Sequence, residues 1–124
     1  MTRINAGIRP AELADPHLLA ELREIKRIPN VVKRGRARLD GLPLKFSLGT
    51  GHVRFFYNKL GYLLNRYQEL RAEAMRRGFQ VQDWSTAWEG VPPELMGDWQ
   101  ETPEARAEVQ ARIEQRLLEM QSKK

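Results

Sequence analysis

The stretch "GTGHVRFFYNKLGYLLNRYQELRAEAMRRGF", residues 49–79, constrains this chain more than any other. Phe56, Leu60, Leu63, Leu64, Tyr67, Leu70 and Met75 recur in it at helical spacing, and Gly78 supplies a stop. So long an apolar stripe must be buried against partner elements, and 124 residues leave room for one domain around one core. Two further segments share the periodicity. "DPHLLAELREIKRI" begins with Asp15 as a suitable N-cap and Pro16 as a suitable first helical residue. Pro29 then kinks or ends that helix, unless the chain resumes a turn over residues 31–33. "TPEARAEVQARIEQRLLEM" opens with Thr102 as cap and Pro103 as first residue, and Val109, Ile113, Leu117 and Met120 form its stripe. The connecting segments "KRGRARLDGLPLKFSLGTG" and "QVQDWSTAWEGVPPELMGDWQ" are rich in Gly, Pro and turn residues. No repeat, low-complexity run or sheet is legible. The expected fold is all-α: a compact three-helix single domain over residues 1–124 with long irregular loops.

Composition excludes several chemistries. With no cysteine the chain has no disulfide, thiol nucleophile or Cys-ligated zinc, and two histidines, His17 and His52, are too few for a His-based metal site. No apolar run reaches the roughly 18 residues of a membrane span and no signal peptide is legible, so a cytoplasmic protein without a membrane partner is expected. No Walker loop, GxGxxG, HExxH or GxSxG occurs. "SLGTGH" is ordinary turn chemistry that offers backbone N–H groups to a phosphate, and His52 reads as a capping or core residue.

Charge is unevenly spread. Residues 1–38 hold nine basic and four acidic side chains, residues 39–80 seven and three, and residues 81–124 five and nine. A basic surface confined to the first two thirds of the chain suits a polyanion, nucleic acid above all. On a helical wheel from His17, Leu18, Leu22 and Ile25 make the core side, while His17, Arg23, Glu24 and Arg27 share the face opposite. A solvated outer face would look the same. "MTRIN" raises a sharper question. Initiator Met is trimmed before small residues such as Thr2, and the freed α-amine has an ordinary pKa of about 7.7–8.0, against about 10.4 for lysine. That amine is a usable nucleophile near neutral pH, although a frayed terminus is the plain alternative.

The segments "MTRIN", "ELADPHLLAELREIKR", "LGTGHVRFFYNKL", "RGFQVQD" and "PPELMGDW" resemble, in this order, the phage endonuclease V family over about residues 1–119. The resemblance implies a pyrimidine-dimer DNA glycosylase with AP lyase activity that acts as a monomer on damaged double-stranded DNA, with no metal and no organic cofactor. It implies an N-terminal segment threaded between helices; such a terminus must be held, and Ile4 and Ile8 are the apolar residues expected to anchor it. The catalytic residues carried over are Thr2, whose amine attacks C1′ and forms a Schiff base, and Glu24 as acid/base. Arg3, His17, Arg23 and Arg27 are implied to line the DNA-facing site. The chain departs from the best-known pattern at Pro16, Leu22 and Lys26, and ends at "EMQSKK" without an aromatic- and lysine-rich tail. An abasic-site lyase, a glycosylase for another modified pyrimidine and a non-catalytic basic DNA-binding module therefore stay open. Trp84, Trp88 and Trp99 read as core residues that are also available for base stacking.

Overall fold

The computed structural model describes residues 2–122. Its helices are α1 (Asp15–Glu24), α2 (Arg27–Lys33), α3 (His52–Phe55), α4 (Leu60–Arg76) and α5 (Pro103–Ser122), with short 3-10 turns at Pro10–Glu12, Ser85–Trp88 and Pro93–Leu95. Among the described residues there is no strand, only an isolated bridge between Lys59 and Met96. The fold is all-α, as expected. Three long helices carry it, and α2 and α3 are additions at the breaks.

Both breaks have physical causes. The first helical segment stops at Glu24, turns through Ile25 and Lys26, and resumes as α2. Pro29 forces this, because its ring would clash with the Ile25 carbonyl in a continuous helix. As the third residue of α2 it falls among positions whose N–H has no intrahelical acceptor, so it is tolerated there. At the other end, the cap is Ala14 rather than Asp15, without a side-chain bond. Asp15 occupies the first turn and pairs with Arg77 at 2.8 Å. The segment expected as one long helix also divides, into α3 and α4. Phe55, Phe56 and Tyr57 are all buried, and three consecutive side chains cannot share one helical stripe. The chain therefore wraps its aromatics into the core through residues 56–59 before α4 begins.

Helix α4 ends at Gly78, where the Gly78 N–H donates to the Met75 carbonyl and the Phe79 N–H to the Ala74 carbonyl, each at 3.0 Å. This pairing closes a helix C-terminus around a left-handed residue, and φ at Gly78 is +91°. Leu60, Leu63, Tyr67 and Leu70 are buried as expected, but Met75 is half-exposed and Ala74 takes the core position instead. In α5, Thr102 caps through Oγ1, accepting the Ala105 N–H at 3.1 Å. Its apolar stripe enters the core only at Val109; Ile113 and Leu117 are half-buried and Met120 is exposed.

The N-terminal segment runs through the middle of this arrangement. Ile4, Ala6 and Ile8 are buried, and Gly7 crosses α5 so closely that a Cβ there would lie 2.7 Å from the Arg106 Cβ. The Gly7 N–H donates to Glu101 Oε2 at 2.7 Å, and Arg106 donates to the Gly7 carbonyl. An apolar segment tied down at both backbone groups is no frayed end. Among the described residues, no helix is long and apolar enough to cross a membrane.

Candidate active site

Helix α1 presents His17, Glu21 and Glu24 along one stripe, and α5 presents Arg112, Ile113, Arg116 and Met120 along another. Between these stripes lies a cleft of about 490 Å³, to which the N-terminal segment contributes Arg3 and Asn5. Thr2 is buried directly before Arg3. The threading therefore delivers the start of the chain to the cleft, where α1 supplies carboxylates and α5 supplies cations. Met1, whose removal bares the Thr2 amine, lies outside the described residues.

The field in the cleft follows from this convergence. Burial lowers the Arg3 pKa, the Arg112 and Arg116 guanidiniums lower it further, and Glu24 partly offsets them. Arginine stays charged regardless, so three crowded guanidiniums favour an anionic ligand that relieves their repulsion. His17 is pushed below its ordinary value by burial and by Arg116 and Arg3, which keeps the imidazole neutral. Its Nδ1 is shielded from solvent and has no hydrogen-bond partner among the described residues. The Glu24 side chain is 15% exposed and accepts from Arg27 Nη1 at 3.2 Å. A carboxylate so placed can exchange protons with a substrate while its other contacts hold its orientation.

Three buried side chains hold the N-terminal segment in place. His52 Nε2 accepts the Ile4 N–H at 2.9 Å, and its Nδ1–H donates to the Ser47 carbonyl at 2.7 Å. Acceptance at Nε2 requires the neutral imidazole, and burial depresses its pKa; Arg3 adds to the effect, while the Ser47 carbonyl, Glu21 and Glu108 oppose it. Glu21 accepts from Asn5 Nδ2 at 2.8 Å and from Arg66, whose Nη1 reaches the Ile8 carbonyl at 3.0 Å. Although burial alone would lower the Arg66 pKa, the Glu21 carboxylate raises it and keeps the guanidinium charged.

Two measurements check this anchoring. Removing one partner of a buried ion pair leaves the other charge uncompensated, so Glu21→Ala should cost about 3–5 kcal/mol in urea unfolding. A loss within the ordinary surface range would make the pair dispensable. For His52, a depressed folded-state pKa means that its stabilisation is present above the unfolded value of 6.5 and is lost as pH falls through the folded value. The urea midpoint should therefore drop on acidification from about pH 6.5, and drop less in His52→Gln, whose amide accepts the Ile4 N–H without titrating. Parallel curves would remove His52 from the acid response.

The expected site residues divide between two places. Arg3, His17 and Glu24 line the cleft, and Arg27 reaches it through its contact with Glu24. Arg23 lies in a neighbouring hollow of about 190 Å³ with Leu22, Lys26, Tyr67 and Trp84, where the Lys26 ammonium sits 4.5 Å from the Trp84 ring centroid. The tryptophans divide as well: Trp88 is buried, Trp99 stacks on Phe46 at 5.7 Å, and Trp84 is 48% exposed. Glu21, one helical turn beyond His17, is a buried anchor of the N-terminal segment. Arg112 and Arg116 escaped the sequence reading, because the last third of the chain is acidic overall and only their i,i+4 spacing marks them. Among the described residues no three His, Asp or Glu side chains cluster as a metal site.

The family model described as pyrimidine dimer DNA glycosylase matches residues 1–85, which hold the N-terminal segment, α1 and its carboxylates, the buried histidine and α4. The chain belongs to the pyrimidine dimer DNA glycosylase family, enzymes of DNA repair.

Proposed function

We propose that this chain cleaves a glycosyl bond of a pyrimidine dimer in double-stranded DNA with the α-amine of Thr2 and then cleaves the strand as an AP lyase. The observation that carries the reading is the cleft in which Arg3, the residue after Thr2, meets Glu24, His17 and the two α5 arginines. Once Met1 is removed, the amine enters a field of three guanidiniums that disfavours its ammonium form. The neutral amine attacks C1′ and sheds a proton, and the C1′–N bond of one dimer base breaks; that base takes the bonding pair and stays joined to its partner base. Opening of the sugar ring, helped by proton transfer, leaves an iminium between Thr2 and C1′. Loss of a C2′ proton and expulsion of the 3′ phosphate complete β-elimination, and water releases the sugar from the enzyme. Glu24 stabilises positive charge developing on the sugar and relays protons in these steps.

Arg3, Arg112 and Arg116 bind the phosphates flanking the lesion; Arg23 and Arg27 extend the contact along the backbone. His17, which lines the same cleft, contacts the sugar or phosphate. The reaction requires neither a metal nor an organic cofactor, and one chain suffices for it. Borohydride reduces an imine to a stable amine, so it should cross-link the Met1-free chain to dimer-containing and to abasic duplexes through Thr2. Failure to trap on either substrate, with Met1 shown to be absent, would overturn the enzymatic reading. Trapping on abasic DNA alone would retain the lyase and remove the dimer.

A further inference from the structure

The loop between α2 and α3 carries a feature that the cleft does not use. Arg34, Arg36, Arg38 and Lys45 project from it into solvent, with Asp40 as its one acid. The loop is nonetheless pinned to the fold. Arg54 donates to the Asp40 carbonyl at 2.6 Å, Leu42 and Phe46 pack on the core, and the Leu48 N–H donates to Glu108 Oε1 at 3.0 Å. Between the Leu42 and Phe46 anchors the backbone bends at Leu44 and Lys45, and the Leu44 side chain is 96% exposed. The next most exposed large apolar side chain among the described residues is Leu118 at 65%. Leu42, Phe46 and Leu48 turn inward, so the outward leucine is fixed by the anchors on either side of it.

The position of the loop gives this leucine a target. Glu108, which holds Leu48, shares the α5 stripe with Arg112 and Arg116, one and two turns along. His52, where the loop enters α3, holds Ile4 beside Arg3. The loop thus rejoins the fold next to the cleft within a few residues of Leu44, and it carries basic side chains on either side of that leucine. An apolar tip flanked by cations is the chemistry that enters a DNA groove and parts a base step.

We propose that Leu44 is a wedge that enters the duplex beside the lesion and unstacks the damaged step while Arg36, Arg38 and Lys45 hold the phosphates. This rests on the reading that duplex DNA occupies the cleft. A lesion-containing step is already weakly stacked, so a wedge acts there at least cost and helps single it out.

The test uses the Met1-free chain and its Leu44→Ala variant on a duplex with one pyrimidine dimer and 2-aminopurine at the adjacent step. Since Leu44 is almost wholly exposed, the variant keeps the fold, and unchanged urea unfolding checks this. The parent should raise 2-aminopurine fluorescence on binding, and Leu44→Ala should lose most of that rise. Single-turnover cleavage of the paired duplex should slow by about 10-fold in the variant, and the defect should shrink when the dimer lies in an unpaired bubble. An undiminished fluorescence rise, or an equal defect on paired and unpaired substrates, would overturn the wedge. The fluorescence arm needs no cleavage: a parent chain that unstacks DNA through Leu44 without cutting it would sink the proposed chemistry and leave the wedge standing.

Discussion

Acetylation of Thr2, or retention of Met1, should abolish borohydride trapping on damaged DNA and lower strand cleavage by on the order of 10³-fold or more, while binding to undamaged duplex should persist. The size of the effect reflects removal of the nucleophile itself. An amide nitrogen has no available lone pair, and a retained methionine displaces the amine from its place beside Arg3. Backbone ties at Ile4 and Gly7 leave the segment little freedom to compensate by sliding. Substitution of Thr2 by Ser keeps a free α-amine after Met1 is trimmed and should still trap. Peptide mapping of the reduced adduct checks the assignment directly. An adduct on a lysine, or full activity after acetylation, would move the nucleophile elsewhere.

For Glu24→Gln we expect strand cleavage to fall by about 10²–10⁴-fold, the range for loss of a general acid/base. Glutamine keeps the length and one acceptor oxygen, so the contact from Arg27 can survive and urea stability should change little. Affinity for damaged duplex should hold or tighten slightly, because one negative charge leaves a phosphate-binding cleft. The decisive comparison is cleavage against binding in the same preparation. Equal losses in both would make Glu24 a positioning residue. If trapping survives while cleavage stops, Glu24 acts in β-elimination rather than in attack at C1′.

The helices were legible because their information is local. Periodicity, the Thr102 cap, Pro103 and Gly78 act within a few residues of themselves, and the structure keeps them. The breaks were harder to place. Pro29 announces an interruption, but where the chain turns depends on the clash with Ile25, one turn earlier. The three consecutive aromatics at Phe55, Phe56 and Tyr57 fit a helical stripe only in part, and the core settles that conflict by bending the chain around them. Met75 and Met120 illustrate the opposite error: a matching period does not bury a residue once its helix has outrun its partners.

By itself the sequence determined the helical class, the exclusion of cysteine chemistry, and, through its resemblance to a family, which residues to compare at Thr2, Arg3, His17 and Glu24. Only the tertiary structure decided what stands around them. Arg112 and Arg116 reach the cleft although they are more than a hundred residues from Thr2 and belong to an acidic segment. Glu21, which a helical wheel sets beside the solvated charges, is instead buried against Arg66 and Asn5. The reason is that periodicity reports which face of a helix turns inward, whereas a site depends on which faces of different elements meet. Electrostatic and hydrogen-bond energies act over a few ångströms of space, not along the chain. Here the threaded N-terminus brings those faces together, at Ile4 with His52 and at Gly7 with α5.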